Sequence, residues 1–436
     1  MACSEGTADR LASPMNFKID ARRRSVSLDP RDPDFFNDPY PKYRAIHETA
    51  PTFFWEQYGF WCFSRHNEVS ALLRDRRFGR QILHLTSRAA LGWREPPAHL
   101  KPFLDLERHS LLELEPPEHT RLRNLVNRAF VSRQVERLAP RIAELTHELI
   151  DGFAEQGSVD LADAVAKPIP VIVIAELLGA PAEMWPRLLD WSHRMVAMYQ
   201  FGVTQATEET AAAAALEFAA FLRAYVDERR RQPGDDLISH LIAAQTEGGK
   251  LSQDELIATC VLLLNAGHEA TVHAIGNGLK ALLEAPAAVR NALAEQSTRA
   301  ALVEELLRFD APLHLFTRYV LEDLSFDGVE LKMGERIGLL LGAANRDPER
   351  FPDPDRIDWA RSPNPHVSFG AGIHFCVGAP LARLELAVVL PVLFDRLADL
   401  ELVAPPRYRD SFHFHGLEAL WARWRIEREF RRESTK

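Results

Sequence analysis

Cys376 lies in the run S-F-G-A-G-I-H-F-C-V-G, Ser368 to Gly378, with three glycines, two phenylalanines and a histidine two residues before it. A thiolate ligates iron well only where backbone amides can reach the sulfur and the chain can approach a flat ligand closely, and glycine permits both. Gly370, Gly372 and Gly378 supply that freedom. The next residues, A-P-L-A-R-L-E-L-A-V-V-L-P, read as a helix start, whose positive end favours an anionic sulfur. The plain alternative, a structural cysteine buried in a turn, stays open on these residues alone.

Other candidate chemistries are excluded by spacing. His268-Glu269 followed by His273 resembles the zincin H-E-x-x-H, but the second histidine comes one residue late, about 140° round a helix from the first; this is not a zincin metal site. The alternation F-H-F-H-G puts His413 and His415 on one face of a candidate strand, where two histidines without a third ligand are packing residues before they are a metal site. Gly370, Gly372 and Gly378 miss the dinucleotide spacing G-x-G-x-x-G, and neither a Walker loop nor a nucleophile elbow occurs. Cys3, Cys62, Cys260 and Cys376 form no C-x-x-C pair, against a disulfide framework or structural zinc. A net charge of -10 and a pI near 5.9 leave no basic footprint for nucleic acid. The opening M-A-C-S-E-G-T-A-D-R has no apolar stretch behind it, so no signal peptide or membrane anchor is expected and a cytoplasmic location follows.

The elements that must position Cys376 are mostly helical. Residues 121–247 carry Ala, Leu, Glu and Arg at helical spacing, broken at K-P-I-P, G-A-P-A and Q-P-G-D-D. The run from Ser252 to Glu284 opens with the capping box S-Q-D-E, closes at Ala285-Pro286, and as a helix would span roughly 50 Å. His268, Glu269, Asn277 and Lys280 exclude a membrane span there. Q-Y-G-F-W-C-F-S-R alternates like short strands about a glycine turn. With 436 residues, 46% hydrophobic and 26% charged, the chain can bury one large core. We expect a tail over residues 1–30 and one domain over 31–436.

F-G-A-G-I-H-F-C-V-G matches the haem-binding signature of the cytochrome P-450 family, F-G-x-G-x-H-x-C-x-G. Further landmarks follow in the family's order. Glu305-Leu306-Leu307-Arg308 resembles its E-x-x-R, F-P-D-P-D-R-I-D the meander whose Arg356 would join that pair, and E-P-P-E-H-T-R-L-R the start of the helix that reaches a haem propionate. D-P-Y-P-K-Y-R and R-R-F-G-R resemble the amino-terminal part of soluble bacterial members. The likeness runs from about Asp32 to Trp424. It implies a mainly α fold with a long central helix and a smaller β-rich part.

The resemblance also implies the chemistry. Cys376 would be the axial thiolate of haem b, with O2 as co-substrate, while Phe369 and Gly378 flank the haem and His119, Arg123, Arg318 and His374 contact the propionates. Ala266 and Gly267 on the long helix would leave room above the iron, with close helix packing as the other reason for Gly267. Glu269 would help bring protons to bound oxygen. Here the chain departs from the family's A-G-x-[DE]-T: Ala270 follows the acid and threonine comes only at Thr271. Either a π-type bulge brings Thr271 round, or Ala270 faces the oxygen while Thr271 bonds an internal carbonyl; the second is expected, because a bulge sacrifices helix hydrogen bonds. Substrate contacts are implied after Arg80, at Met195, Met198, Leu313, Phe316 and Leu417, for a small apolar ligand. Electrons from NAD(P)H would arrive through a ferredoxin reductase and a ferredoxin, with Arg121 and Arg128 as a candidate basic patch, and a monomer is expected. A haem-thiolate enzyme that uses peroxide or rearranges its substrate without oxygenating it, and a haem-binding protein without turnover, are the other classes.

Overall fold

The computed structural model describes residues 17–129, 135–248 and 251–426. Its axis is the helix Gln253–Glu284, capped as its sequence predicts: Ser252 Oγ accepts from the Glu255 amide and the Glu255 carboxylate accepts from the Ser252 amide. Such a reciprocal cap is worth about 1 kcal/mol. The helix is buried on nearly all sides, packing against the helices Pro168–Leu178, Trp185–Val196, Gln205–Arg231, Gln296–Phe309 and Ala379–Arg396. Its middle therefore lies deep in the main core.

Beside this helical body stands a seven-stranded sheet in the order Lys18–Asp20, Ser25–Ser27, Thr52–Trp55, Phe60–Phe63, Arg336–Leu340, Leu315–Val320, Phe78–Gly79. The expected tail ends earlier than residue 30: Lys18–Asp20 and Ser25–Ser27 pair antiparallel at the sheet's edge, and Val26 and Leu28 are buried. An apolar alternation as short as S-V-S-L gains its place from the strands Lys18–Asp20 and Thr52–Trp55 on either side of it. Thr52–Trp55 and Phe60–Phe63 form the hairpin expected from Q-Y-G-F-W-C-F, turned at Gly59. Phe316 and Arg318, two residues apart on Leu315–Val320, share one face of its antiparallel pair with Arg336–Leu340. Among the described residues no helix is long and apolar enough to cross a membrane.

Candidate haem site

The cysteine side rests on a buried charge network. Glu305 and Arg308, both on the helix Gln296–Phe309, have wholly buried side chains and meet through two hydrogen bonds of 2.8 Å. The remaining guanidinium donors reach the carbonyls of Asn345, Pro354 and Arg356. The expected third partner, the Arg356 side chain, is not the one used. Arg361 donates from Nε to Glu305 Oε2 at 3.2 Å, joined by Asn364 Nδ2 at 3.1 Å and the Asp358 amide on Oε1 at 2.9 Å. Arg356 supplies a carbonyl because the chain turns at Asp353–Arg356, and Arg361, five residues on, returns to the carboxylate.

That network holds the cysteine loop. Ser368 Oγ donates to the Leu307 carbonyl and accepts from Asn345 Nδ2, both at 2.7 Å, while Asn345 Oδ1 accepts from the Val367 amide at 2.8 Å. Gly370 and Gly372 have φ of +66° and +69°, and a Cβ on Gly372 would lie 2.5 Å from the Leu73 carbonyl oxygen; only glycine fits there. The loop closes with the Cys376 amide on the Phe369 carbonyl at 3.0 Å. Burial raises the Cys376 thiol pKa, opposed by the amides of Gly378 and Ala379 and by the charges of Arg123 and Arg383. The amides at the helix start favour the thiolate as expected, while burial of the sulfur opposes them.

Beside the loop lie buried polar groups whose hydrogen-bonding capacity the protein leaves partly unused. Arg318 is 3% exposed and, among the described residues, makes no ion pair; its one hydrogen bond is to its neighbour's carbonyl, Thr317 O. Burial, then Arg80, pushes its pKa down to about 9. His119 is 2% exposed with Nε2 unpartnered, and burial followed by His374 and Arg123 brings it down to about 4. Its ring lies 4.4 Å from that of His374, whose Nε2 is 3.4 Å from Glu115 Oε1. A bound dicarboxylate would satisfy this buried cation and this orphaned nitrogen together, so the residues present fit haem. Arg123 instead donates to the Phe375 carbonyl at 2.7 Å, next to Cys376. Arg80, which bridges Glu113 and the Thr317 carbonyl, and Glu115 belong to the same cluster; as ordinary surface-type residues they carry no local sequence signal.

On the long helix the backbone is α-helical throughout, without a bulge at Ala270. Ala266 is exposed and Ala270 half-buried, four residues apart on one face, in a helix whose other faces are covered. Gly267 does not share that face: a Cβ there would meet Ile174 Cγ1 at 3.0 Å, so its smallness serves close helix packing. Thr271 Oγ1 donates to the Gly267 carbonyl at 3.1 Å. Glu269 is 7% exposed; its Oε2 lies 3.4 Å from both His193 Nε2 and His268 Nε2, and its Oε1 lies 3.3 Å from His273 Nε2. Burial would raise this carboxyl, but the three imidazoles outweigh it and hold the pKa well below the usual carboxylate range. His193 is invisible from the sequence of the long helix because it comes from the helix Trp185–Val196.

The residues expected around the substrate divide. Met195 is buried with Sδ 3.7 Å from Asn265 Nδ2, and Met198 is half-buried. Leu313 bridges Phe414, and the Phe316 ring lies 3.3 Å from where a Gly370 Cβ would stand, against the cysteine loop. Leu417 packs on the long helix at Gly276, about 15 Å along the axis from Ala266, and is core. Between Met195 and Phe201 stands a polar group the composition does not reveal. Tyr199 donates to Glu107 Oε2 at 3.2 Å and stacks on His413. Burial, then Glu113, pushes Glu107 up to about 7. His413 and His415 do not share a strand face: His415 instead contacts Asp310 and stacks on Tyr408. Arg121 pairs with Glu255 and so belongs to the fold, whereas Arg128 is exposed.

Comparison with known proteins agrees with this geometry. Residues 83–398 match the cytochrome P-450 family. The monooxygenase PikC of Streptomyces venezuelae is 37% identical over 91% of this chain and 93% of its own, and the vitamin D(3) 25-hydroxylase of Pseudonocardia autotrophica is 37% identical over 88% and 94%. The epothilone D-bound cytochrome P-450epoK superposes with a TM-score of 0.84 at 29% identity, covering 92% of this chain and 99% of that one.

Proposed function

The chain belongs to the cytochrome P-450 family and is an oxidoreductase of the monooxygenase type, and on that premise we propose that it oxidises a largely apolar organic molecule with electrons from a ferredoxin. Haem b held by a thiolate supplies the activation of O2. Cys376 is the ligand, in a loop fixed by Glu305, Arg308 and Arg361. Arg318, His119 and His374 would hold the two propionates. The observation that carries this reading is the buried Arg318, which makes no ion pair among the described residues, with the orphaned His119 Nε2 beside the cysteine loop.

Ala266 and Ala270 leave room on the open face, and Glu269 moves protons toward it. With an α-helical backbone and Thr271 bonded to the Gly267 carbonyl, the hydroxyl of Thr271 is engaged inside the helix, and Glu269, ordered water or the substrate itself carries the proton. The apolar side chains of Leu313 and Phe316 and the polar group of Tyr199 and Glu107 suit a mainly apolar substrate with a polar contact. For the electron donor, Phe375 is 40% exposed next to Cys376, and exposed Arg128 stands on the helix whose Arg123 touches the same loop. An apolar spot with a cationic rim fits an acidic partner.

Purified protein is expected to bind haem b, and its reduced carbonyl complex to show the strongly red-shifted Soret band of thiolate-ligated iron. Oxygen-dependent NADPH consumption with a ferredoxin and its reductase is expected to follow. Haem binding without such consumption, across a substrate screen read by the ferric spectrum, would leave a haem-binding protein without turnover.

A further inference from the structure

Glu269 sits in a donor set that proton movement does not use in full. His273 holds Oε1, leaving Oε2 to His193 Nε2 and His268 Nε2, each 3.4 Å away. His268 is wholly buried, and its Nδ1 lies 2.9 Å from the Leu264 carbonyl. A carbonyl only accepts, so Nδ1 carries a hydrogen and Nε2 is the ring atom left to face Oε2. That Nε2 has no hydrogen-bond partner although Oε2 is its neighbour. A cation seated between the two atoms would take a lone pair from each.

A metal ion meets these constraints. Donors bound to one tetrahedral zinc at about 2.0–2.1 Å stand about 3.3 Å from each other, close to both N···O separations, and the three donor atoms lie within 4.8 Å of one another. The surroundings match those of metal-binding side chains: His268 donates its other N–H to a backbone carbonyl, and the second oxygen of Glu269 is held by His273. His193 is 43% exposed, which gives an ion entry and a water access to a fourth position. The zincin pairing of His268 with His273 stays excluded, since the two rings attend different oxygens; the second histidine comes from another helix. The other histidine cluster, Asp310, His314 and His415, is buried on all three residues, and its carboxylate already accepts from Tyr40 and Tyr408.

We propose that His193, His268 and Glu269 form a site for a divalent transition metal, zinc by ligand type, and that the bound ion fixes the Glu269 carboxylate and stops turnover. The effect on turnover rests on the proposed role of Glu269; the binding does not. The test titrates chelator-stripped, haem-loaded protein with Zn2+ by calorimetry, with metal content measured after gel filtration. One zinc per chain is expected, bound more than about 10-fold more weakly by His193→Ala. Turnover is expected to fall as zinc fills the wild-type site and to hold at its own metal-free rate in His193→Ala. Absence of saturable binding, or equal binding by His193→Ala, overturns the site. Binding lost in His193→Ala with turnover undiminished in the zinc-loaded wild type upholds the site and overturns the role given to Glu269.

Discussion

On the cysteine side, Glu305 and Arg308 meet at 2.8 Å with both side chains wholly buried, and all five guanidinium donors are used. On the long helix, Glu269 is nearly as buried, yet its imidazole neighbours stand at 3.3–3.4 Å and one nitrogen makes no hydrogen bond. The first arrangement has one low-energy geometry, as a structural support requires. The second keeps a charge in place while leaving its bonds loose, and a group that exchanges protons or takes an ion needs that slack. Burial alone therefore does not separate the two arrangements; on the roles proposed for them, completeness of hydrogen bonding does.

The largest expected effect is at the ligand itself. Cys376→Ser is expected to abolish the thiolate-type carbonyl band, while substitutions of Cys62 and Cys260, both buried in the fold, leave it; a band surviving in Cys376→Ser would remove the cysteine side from the comparison. Next comes the support. Glu305→Ala leaves the buried Arg308 charge without a carboxylate at a cost of roughly 3 to 5 kcal/mol, and Arg308→Ala leaves Glu305 with Arg361 as its one cation among the described residues; purified protein of both variants is expected to contain little haem. Arg361→Ala should lose part of the haem and Arg356→Ala none, because only the Arg356 carbonyl takes part. Equal loss in both would mean the meander, and not the ion pair, is the support.

The loose side is tested by coupling. Thr271→Ala is expected to leave the fraction of NADPH converted to product nearly unchanged, whereas Glu269→Gln lowers turnover. Hydrogen peroxide leakage rising in Thr271→Ala with Glu269→Gln harmless would return the oxygen-side hydroxyl to Thr271. The smallest effect concerns pH. Glu107 has its pKa raised from 4.5 to about 7 by burial and then Glu113. The protonated form is the one the fold favours, so this contribution to stability is complete below about 4.5 and is lost as pH rises toward about 7. Melting temperature against pH is expected to fall through that window in the wild type relative to Glu107→Gln. Parallel curves would show that the Glu107 carboxyl is already ionised at the lower pH.

Some of the architecture was legible because its causes are local. The glycines of Phe369–Gly378 answer to φ and to a close approach at Leu73, and the capping box of the long helix is closed within four residues, Ser252 to Glu255. Thr271 could be assigned to its own helix carbonyl because an i, i-4 contact depends only on helix geometry. The apolar composition around Met195–Phe201, by contrast, concealed Tyr199 with its partner Glu107 from a distant helix.

The cysteine loop, the long helix and the E-x-x-R pair were legible in the chain alone, since each is a contiguous pattern whose backbone preference or spacing carries its meaning. Tertiary structure decided which arginine of the meander reaches Glu305, that Gly267 packs on Ile174 while Ala266 faces open space, and that residues 18–27 join the sheet. It also decided that His193 meets Glu269. These outcomes depend on how separate elements pack. A side chain's partner across a helix interface is set by the path of both backbones, and no spacing within either segment encodes it.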